Sequence, residues 1–470
     1  MSDLLVGVDI GTTNLKVGVF DAEGNLRALA VRDCALDRKP GGRLLADAER
    51  WMRDFEVAFG ECLAAVDPAA IRAIGFSSQA QTYVFVDEAG KPLEPAVSWL
   101  DATGDAEGAA ALAGEGFYAH AGWARVGPSL ALCKLRRRAS EDTRSRAARL
   151  LFPEGFLACR LTGRMTVSRN IAAMSGLYSL PRRDWWPKAL AAAGVEERLL
   201  PELRDFGEVI GSVQPSFCSR WKIGPVPVVA GANDQTAAAL GAGLAGPGDA
   251  MLALGTAMVL YQVIPAATPP AASQPHRGEY PGGLHYQLGL WSTACAVLEW
   301  ARGFLAPDAA WDDLFDEALR VPFGAEGLRA CPEFDRGGML DGLALRHDRA
   351  CVMRALIEGL ACAARRLLDD LSVEGQVLVT GGGALHDGVV QLFADVVGRP
   401  LARVEEPQAS VRGAAILAGA GAGVYPDVLA AARRLRKDGR VFLPSPDRRD
   451  ACETLYRDFL ALREKTPYVA

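Results

Sequence analysis

The ten cysteines of this sequence form no C-x-x-C pair, and no histidine stands beside them at the spacing of a zinc ligand. That excludes a zinc ribbon or finger and leaves the thiols as reduced packing residues. An excess of positive charge is missing too. The formal net charge is −6, with Lys and Arg spread along the chain, so there is neither a nucleic-acid footprint nor a polybasic membrane patch. No uninterrupted apolar run approaches the roughly 18 residues of a spanning helix. The most apolar late stretch, Val411 to Val424, is broken by Arg412 and several glycines. Met1 to Val6 carries no basic segment or cleavage site and leads directly into a strand pattern, so a cytoplasmic location is expected. Small molecules are the expected partners, with no nucleic acid and no membrane; homodimerisation is left open.

What is present is a large interior. Half of the 470 residues are hydrophobic and 23% are charged, a globular balance at a length that exceeds one core and predicts two domains. Leu4 to Ile10, a turn at Gly11-Thr12-Thr13-Asn14, and Leu15 to Phe20 read as a hairpin, and Leu26 to Val31 adds a third strand. Trp51, Phe55, Ala58, Phe59, Cys62 and Val66 recur at helical spacing between Asp47 and Pro68. Ile71 to Phe76 and Tyr83 to Val86 read as strands around the polar loop Ser77 to Thr82. The arginine-rich stretch from Leu135 to Arg149 reads as a solvated helix face without a function. Pro225 to Ala230 predicts a buried strand, and Thr236 to Leu244 a helix of small residues. Gly246-Pro247-Gly248 then breaks the chain, and a second strand-turn-strand follows at Ala250 to Val263. The expected domains are therefore 1–245 and 246–470. Further on, a long amphipathic helix through Met353 to Leu371, a strand Gln376 to Thr380, a helix through Val389 to Val397 and a helix Ser410 to Gly421 are predicted.

A phosphate chain needs converging N–H and hydroxyl donors without side-chain bulk, which a Gly-Thr turn between two strands supplies. Gly11-Thr12-Thr13 is one such turn and Gly255-Thr256 another; either alone is equally an ordinary hairpin, whereas one in each domain is what a nucleotide clamped in a cleft requires. Asp9, at the end of its strand, is suited to hold Mg²⁺ through water. Gly381-Gly382-Gly383-Ala384, after a predicted strand, allows the backbone to approach a flat ligand or forms a plain loop. It fits neither the P-loop nor the dinucleotide glycine pattern. Asp234 stands between a buried strand and a helix start, so it is either an N-cap or a catalytic base that takes the proton of an attacking hydroxyl. Gln79, Gln81, Trp99 and Asp101 are the residue types that grip sugar hydroxyls, and also those of ordinary polar surface.

In order along the chain, Gly7-Val8-Asp9-Ile10-Gly11-Thr12-Thr13, Trp99-Leu100-Asp101, Leu161-Thr162-Gly163, Val229-Ala230-Gly231-Ala232-Asn233-Asp234, Leu254-Gly255-Thr256, Ile357-Glu358-Gly359 and Gly381-Gly382-Gly383-Ala384 resemble the FGGY carbohydrate kinases over nearly the whole length, with the closest general likeness to xylulokinase-like members. The resemblance implies an α/β fold of two actin-like, ribonuclease-H-like domains with ATP in the cleft between them, and Asp234 as the catalytic base. It further implies Thr12, Thr13, Asn14 and Lys16 around the phosphates, Gly255 and Thr256 across the cleft, and Gly382 and Gly383 at the nucleoside. Gln79, Gln81, Asp101 and Asp234 would meet the substrate, with Gln235 completing a pair similar to that of glycerol kinases.

Three positions depart from the family pattern. Ala80-Gln81 stands where xylulokinases usually carry Met-His and glycerol kinases Arg-Glu, which points to a sugar other than xylulose. Thr103 replaces an arginine two residues after Asp101 and removes a charge partner. Leu385-His386 replaces a polar pair after the glycine turn. The competing expectation is a catalytically silent actin-like sugar- or nucleotide-binding protein, which would show no sugar-dependent release of ADP.

Overall fold

The computed structural model describes residues 3–138 and 141–465. Two mixed sheets organise them. The first runs, in spatial order, Val209–Ser212, Pro227–Val229, Ile71–Ser78, Leu4–Ile10, Asn14–Asp21 and Leu26–Asp33, with Ala232–Asn233 also paired to Ile71–Ser78. The second runs His276–Tyr280, Leu284–Trp291, Met258–Pro265, Ala250–Leu254, Val377–Thr380, Leu401–Val404 and Asp438–Phe442. Both repeat one device: an antiparallel hairpin, with Asp9 opposite Lys16 in one and Leu254 opposite Met258 in the other, beside a parallel strand that sets Gly7 against Gly75 and Ala253 against Thr380. Parallel pairing requires a crossover, and helices Ala48–Ala64 and Arg349–Asp370 precede the two parallel strands.

The crossover helices form where spacing and caps agree. Asp47 accepts from Glu49 N at 3.0 Å to start the first, and Trp51, Phe55, Phe59 and Cys62 bury one face. Phe55 and Phe59 stack with ring centroids 5.5 Å apart, and Trp221 meets both edge-on. Each of these fully buried rings stabilises the fold by about 1.5–3 kcal/mol. Asp348 caps the second helix by accepting from Cys351 N at 3.0 Å. A further apolar cluster in the first half, around Tyr83, Phe85, Leu132, Leu150, Tyr178 and Trp186, supports the polar loops described below.

Helix Ala409–Gly421 lies in sequence between two strands of the second sheet, Leu401–Val404 and Asp438–Phe442, yet packs on the first. Glycine permits the approach: a Cβ on Gly7 would stand 1.9 Å from Val411 O, and one on Gly413 1.9 Å from Ala237 O. The helix thereby joins Asp234–Ala242 and the first sheet in one apolar cluster with Tyr261, Tyr280 and Tyr286 of the second.

The arginine-rich stretch corrects one expectation. Helices Ala131–Arg138 and Glu141–Arg146 and the strand Arg149–Leu151 stand where one solvated helix was predicted, with residues 139–140 outside the described set. The cause is tertiary: Val86 pairs with Arg149, and Leu135 and Ala147 are buried in the apolar cluster of Tyr83 and Leu150. All ten cysteines are free, and among the described residues no helix is long and apolar enough to cross a membrane.

Candidate active site

Asp9 ends the central strand of the first sheet, nearly buried, and each of its oxygens accepts from a hydroxyl: Oδ1 from Ser77 at 2.7 Å and Oδ2 from Ser410 at 2.8 Å. Burial raises its carboxyl above the usual range against the opposing pull of these two bonds and of Lys16. The turn closes through Gly11 N to Asn14 O at 3.0 Å. Thr12, Asn14 and Lys16 are half-buried on it and Thr13 is exposed. Trp99 Nε1 donates to Thr12 Oγ1 at 2.7 Å, tying this turn to the Trp99-Leu100-Asp101 segment.

Asp234 is not the cap of its helix. Asn233 is, accepting from Thr236 N at 2.9 Å, while Asp234 occupies the first helical position and its Oδ1 accepts from Gln235 N at 2.8 Å. Asn170 fixes the cap, with Oδ1 accepting from Asn233 N at 2.7 Å and Nδ2 at 2.8 Å. Glu154, itself buried, accepts from Gly231 N and Ser168 N and so holds the strand that leads into the turn; burial pushes its carboxyl up to about 7. Asp234 keeps partial solvent contact, yet burial and then the negative charge of Asp9 push it up to about 7 as well. A half-buried carboxylate with spare acceptor capacity and a value near neutrality is a competent general base.

The polar loops divide into groups already engaged and groups left over. Gln79 donates from Nε2 to Gly11 O at 3.1 Å and accepts at Oε1 from Thr82 Oγ1 at 2.9 Å, so both ends of its amide serve the loop. Asp101, fully buried, accepts from Leu44 N at 3.1 Å and from Thr103 N and Oγ1 at 2.9 and 2.8 Å, so Thr103 is a hydrogen-bond partner to it. Gln81 differs. It has a left-handed backbone, φ 63°, and its Oε1 is buried without a hydrogen-bond partner among the described residues. Gln235 is half-buried beside Asp234.

In the second half, a cavity of about 420 Å³ is lined by Gly255, Thr256, Gly382 and Gly383 together with Leu254, Leu298, Trp311, Phe315, Leu385 and His386. The sequence-predicted nucleoside residues therefore share one apolar slot. Leu385 is exposed at its rim, and His386 Nε2 stands 3.3 Å from Asp316 Oδ1. A second cavity of about 460 Å³, between Arg183, Glu279, the Tyr280–Leu284 turn and Val428, contains none of the motif residues. Residues that the sequence reading missed are Ser77 and Ser410 on Asp9, Asn170 and Glu154 behind Asp234, and Lys134, which reaches the carbonyls of Gln81 and Ser98. Lys134 alone carried a signal, as the one charge in the apolar run Leu130 to Leu135.

Residues 4–241 match the N-terminal domain of the FGGY family of carbohydrate kinases and residues 292–422 its C-terminal domain. The chain belongs to that family. It is a carbohydrate kinase, a phosphotransferase with an alcohol group as acceptor, and its fold is the two-domain actin-like one. Xylulose kinase of Lactococcus lactis is 25% identical over 99% of this chain and 97% of its own length. L-fuculokinase of Salmonella typhi is 27% identical over 95% and 98%. The crystal structure of a xyloylose kinase from Brucella ovis superposes with a TM-score of 0.90 at 26% identity, covering 98% of both chains.

Proposed function

We propose that the protein transfers the γ-phosphoryl group of ATP, with Mg²⁺, to a hydroxyl of a small sugar or polyol, with residues 1–245 holding the acceptor and the base and residues 246–470 holding the nucleotide. The observation that carries the reading is Asp234: free of a capping role, close enough to Asp9 to feel its charge, and pushed up to about 7. A base of that strength takes the acceptor's proton near neutrality, and Gln81 and Gln235 are the expected side chains left to meet its hydroxyls, since Asp101 is fully buried and engaged by Leu44 and Thr103.

The residues present fit both the nucleotide and the ion. Thr12, Thr13, Asn14 and Lys16 on one turn and Gly255 and Thr256 on the other offer N–H, hydroxyl and ammonium donors to phosphate oxygens, and the apolar slot at Gly382 and Gly383 takes a flat base. Among the described residues no group of three or more His, Cys, Asp or Glu is disposed to hold a metal, so the ion would rest on Asp9 through water and on the phosphates. When bound, it neutralises phosphate charge. A cytoplasmic location, where ATP is abundant, accords with this reading.

The test is release of ADP from Mg-ATP against ketopentoses, hexuloses, pentitols, glycerol and aldonates. One strong acceptor, with the signal lost in Asp234→Asn, names the substrate; silence throughout despite ATP binding points to an acceptor outside the panel or to a silent sugar-binding relative.

A further inference from the structure

Lys134 is completely buried. Its ammonium donates to Gln81 O at 3.0 Å and to Ser98 O at 2.9 Å, and lies 5.9 Å from the centre of the Tyr83 ring. Its neighbours in sequence, Leu132, Cys133 and Leu135, are apolar and buried, and a methionine of similar length would fill the same volume without the cost of desolvating a charge. Packing therefore does not account for it. What distinguishes these two carbonyl acceptors is where they lie: one belongs to the loop of Gln79 and Gln81, the other to the residue just before Trp99. That second segment is bound in turn to Thr82 Oγ1 through Trp99 N at 2.9 Å and to the phosphate-side turn through Trp99 Nε1.

Gln81 is the other half of the observation. A residue with a Cβ at φ 63° is strained unless its surroundings hold it there, and the Oε1 of Gln81 is a buried acceptor without a donor among the described residues. Strain and an unmet acceptor at one residue, with a buried cation fixed to that residue's own carbonyl, describe a side chain held ready for a ligand that donates.

We propose that Lys134 is the positioning residue of the acceptor site. It clamps the 77–82 and 98–103 loops together and holds Gln81 in its left-handed conformation, so that Oε1 is presented to a hydroxyl of the acceptor. It does not touch the acceptor itself. The inference rests on the kinase reading of this site, and the substrate feature that it selects is a hydroxyl donor opposite Gln81.

The test uses Lys134→Met, Gln81→Ala and the double variant in the full-length chain, with D-xylulose, L-fuculose, glycerol and D-gluconate as acceptor probes. Each single variant raises the acceptor KM by about tenfold or more while the KM for ATP moves less than about twofold. Because Lys134 acts through Gln81, the double variant is no worse than the poorer single one within about twofold. Unchanged acceptor KM in either single variant, equal losses for both substrates, or effects that multiply in the double variant each overturn the proposal. Gln81→Ala, which leaves the buried lysine and its carbonyl partners in place, decides the matter should Lys134→Met fold poorly. Amide hydrogen exchange of the free protein separates the clamp from the kinase reading. In Lys134→Met the amides of 79–82 and 98–103 exchange about tenfold faster, while those of 254–258 and 381–386 keep their rates. A wild type that phosphorylates none of the probes fails the kinase reading alone, whereas uniform or absent acceleration of exchange fails the clamp.

Discussion

The two Gly-Thr turns each join a pair of antiparallel strands, Ile10 opposite Leu15 in one and Leu254 opposite Met258 in the other, and differ in how they close and in what surrounds them. Around Gly11-Thr12 the side chains form a closed polar network: Ser77 and Ser410 on Asp9, Trp99 on Thr12, Gln79 on Gly11 O. Around Gly255-Thr256 the bonds are between main-chain groups, Gly255 N to Ala257 O at 3.1 Å and Cys295 N to Gly255 O at 3.0 Å, and the side chains form an apolar slot. The hairpin supplies donors suited to phosphate in both halves; what surrounds it decides how selective each half is. A site built from fixed, buried polar groups rejects a mismatched ligand strongly, because a mismatch leaves those groups unpaired, while apolar walls discriminate weakly.

The largest effect belongs to the polar side. Asp234→Asn keeps the shape and removes the base, so kcat falls by about 10³-fold with nucleotide binding nearly unchanged. The base acts ionised. Since its carboxyl is pushed up to about 7, wild-type kcat/KM falls as pH drops below that value, by about tenfold per unit, and levels off above it. Rates measured across pH 7 check this: a variant with wild-type turnover, or a wild-type profile flat through neutrality, removes Asp234 from the chemistry and with it the contrast between the halves.

On the apolar side the backbone is the sensitive part. Gly381 has φ 94°, and a Cβ there would stand 2.5 Å from Leu254 O, in the strand that leads into the second turn. Gly381→Ala therefore strains the floor of the slot by about 1–3 kcal/mol and raises the KM for ATP by about 10- to 100-fold, leaving the acceptor KM unaltered. Separate titration of the two substrates distinguishes this from general damage. If both KM values rise together, the two sites are not independent.

These contrasts were unevenly legible in the sequence. The paired hairpins were readable because a strand-turn-strand signal is local, and Asp234 drew notice because a buried strand meets a helix there, although that position left a cap and a base equally open and only the family resemblance implied the base. That Asn233 rather than Asp234 caps the helix was not, since both residue types are good caps and only the Asn170 contact chooses between them. Gln79 looked equivalent to Gln81 until Gly11 O and Thr82 claimed its amide. The return of Ala409–Gly421 to the first sheet, which brings Ser410 to Asp9, depends on partners some 400 positions apart and on glycines whose purpose appears only on contact. Lys134 was masked by the arginines that follow it.

The smallest effect is the one that most sharpens the comparison. Leu254, Leu298, Trp311, Phe315 and Leu385 line the slot, and the acidic residues at it, Glu299 and Asp312, are exposed. Exposed groups exchange a base for water at little cost, so they separate one purine edge from another only slightly. ATP, ITP and GTP then support phosphoryl transfer with kcat/KM values within about tenfold of one another, whereas changing one acceptor hydroxyl opposite Gln81 costs far more. Initial rates with the three nucleotides at one acceptor concentration measure it. Discrimination beyond about 10³-fold would require a buried hydrogen bond to the base edge. Among the residues that line the slot, His386 has such an atom, Nδ1, buried and without a hydrogen-bond partner among the described residues, and such a result would make the nucleotide side selective by the same means as the acceptor side.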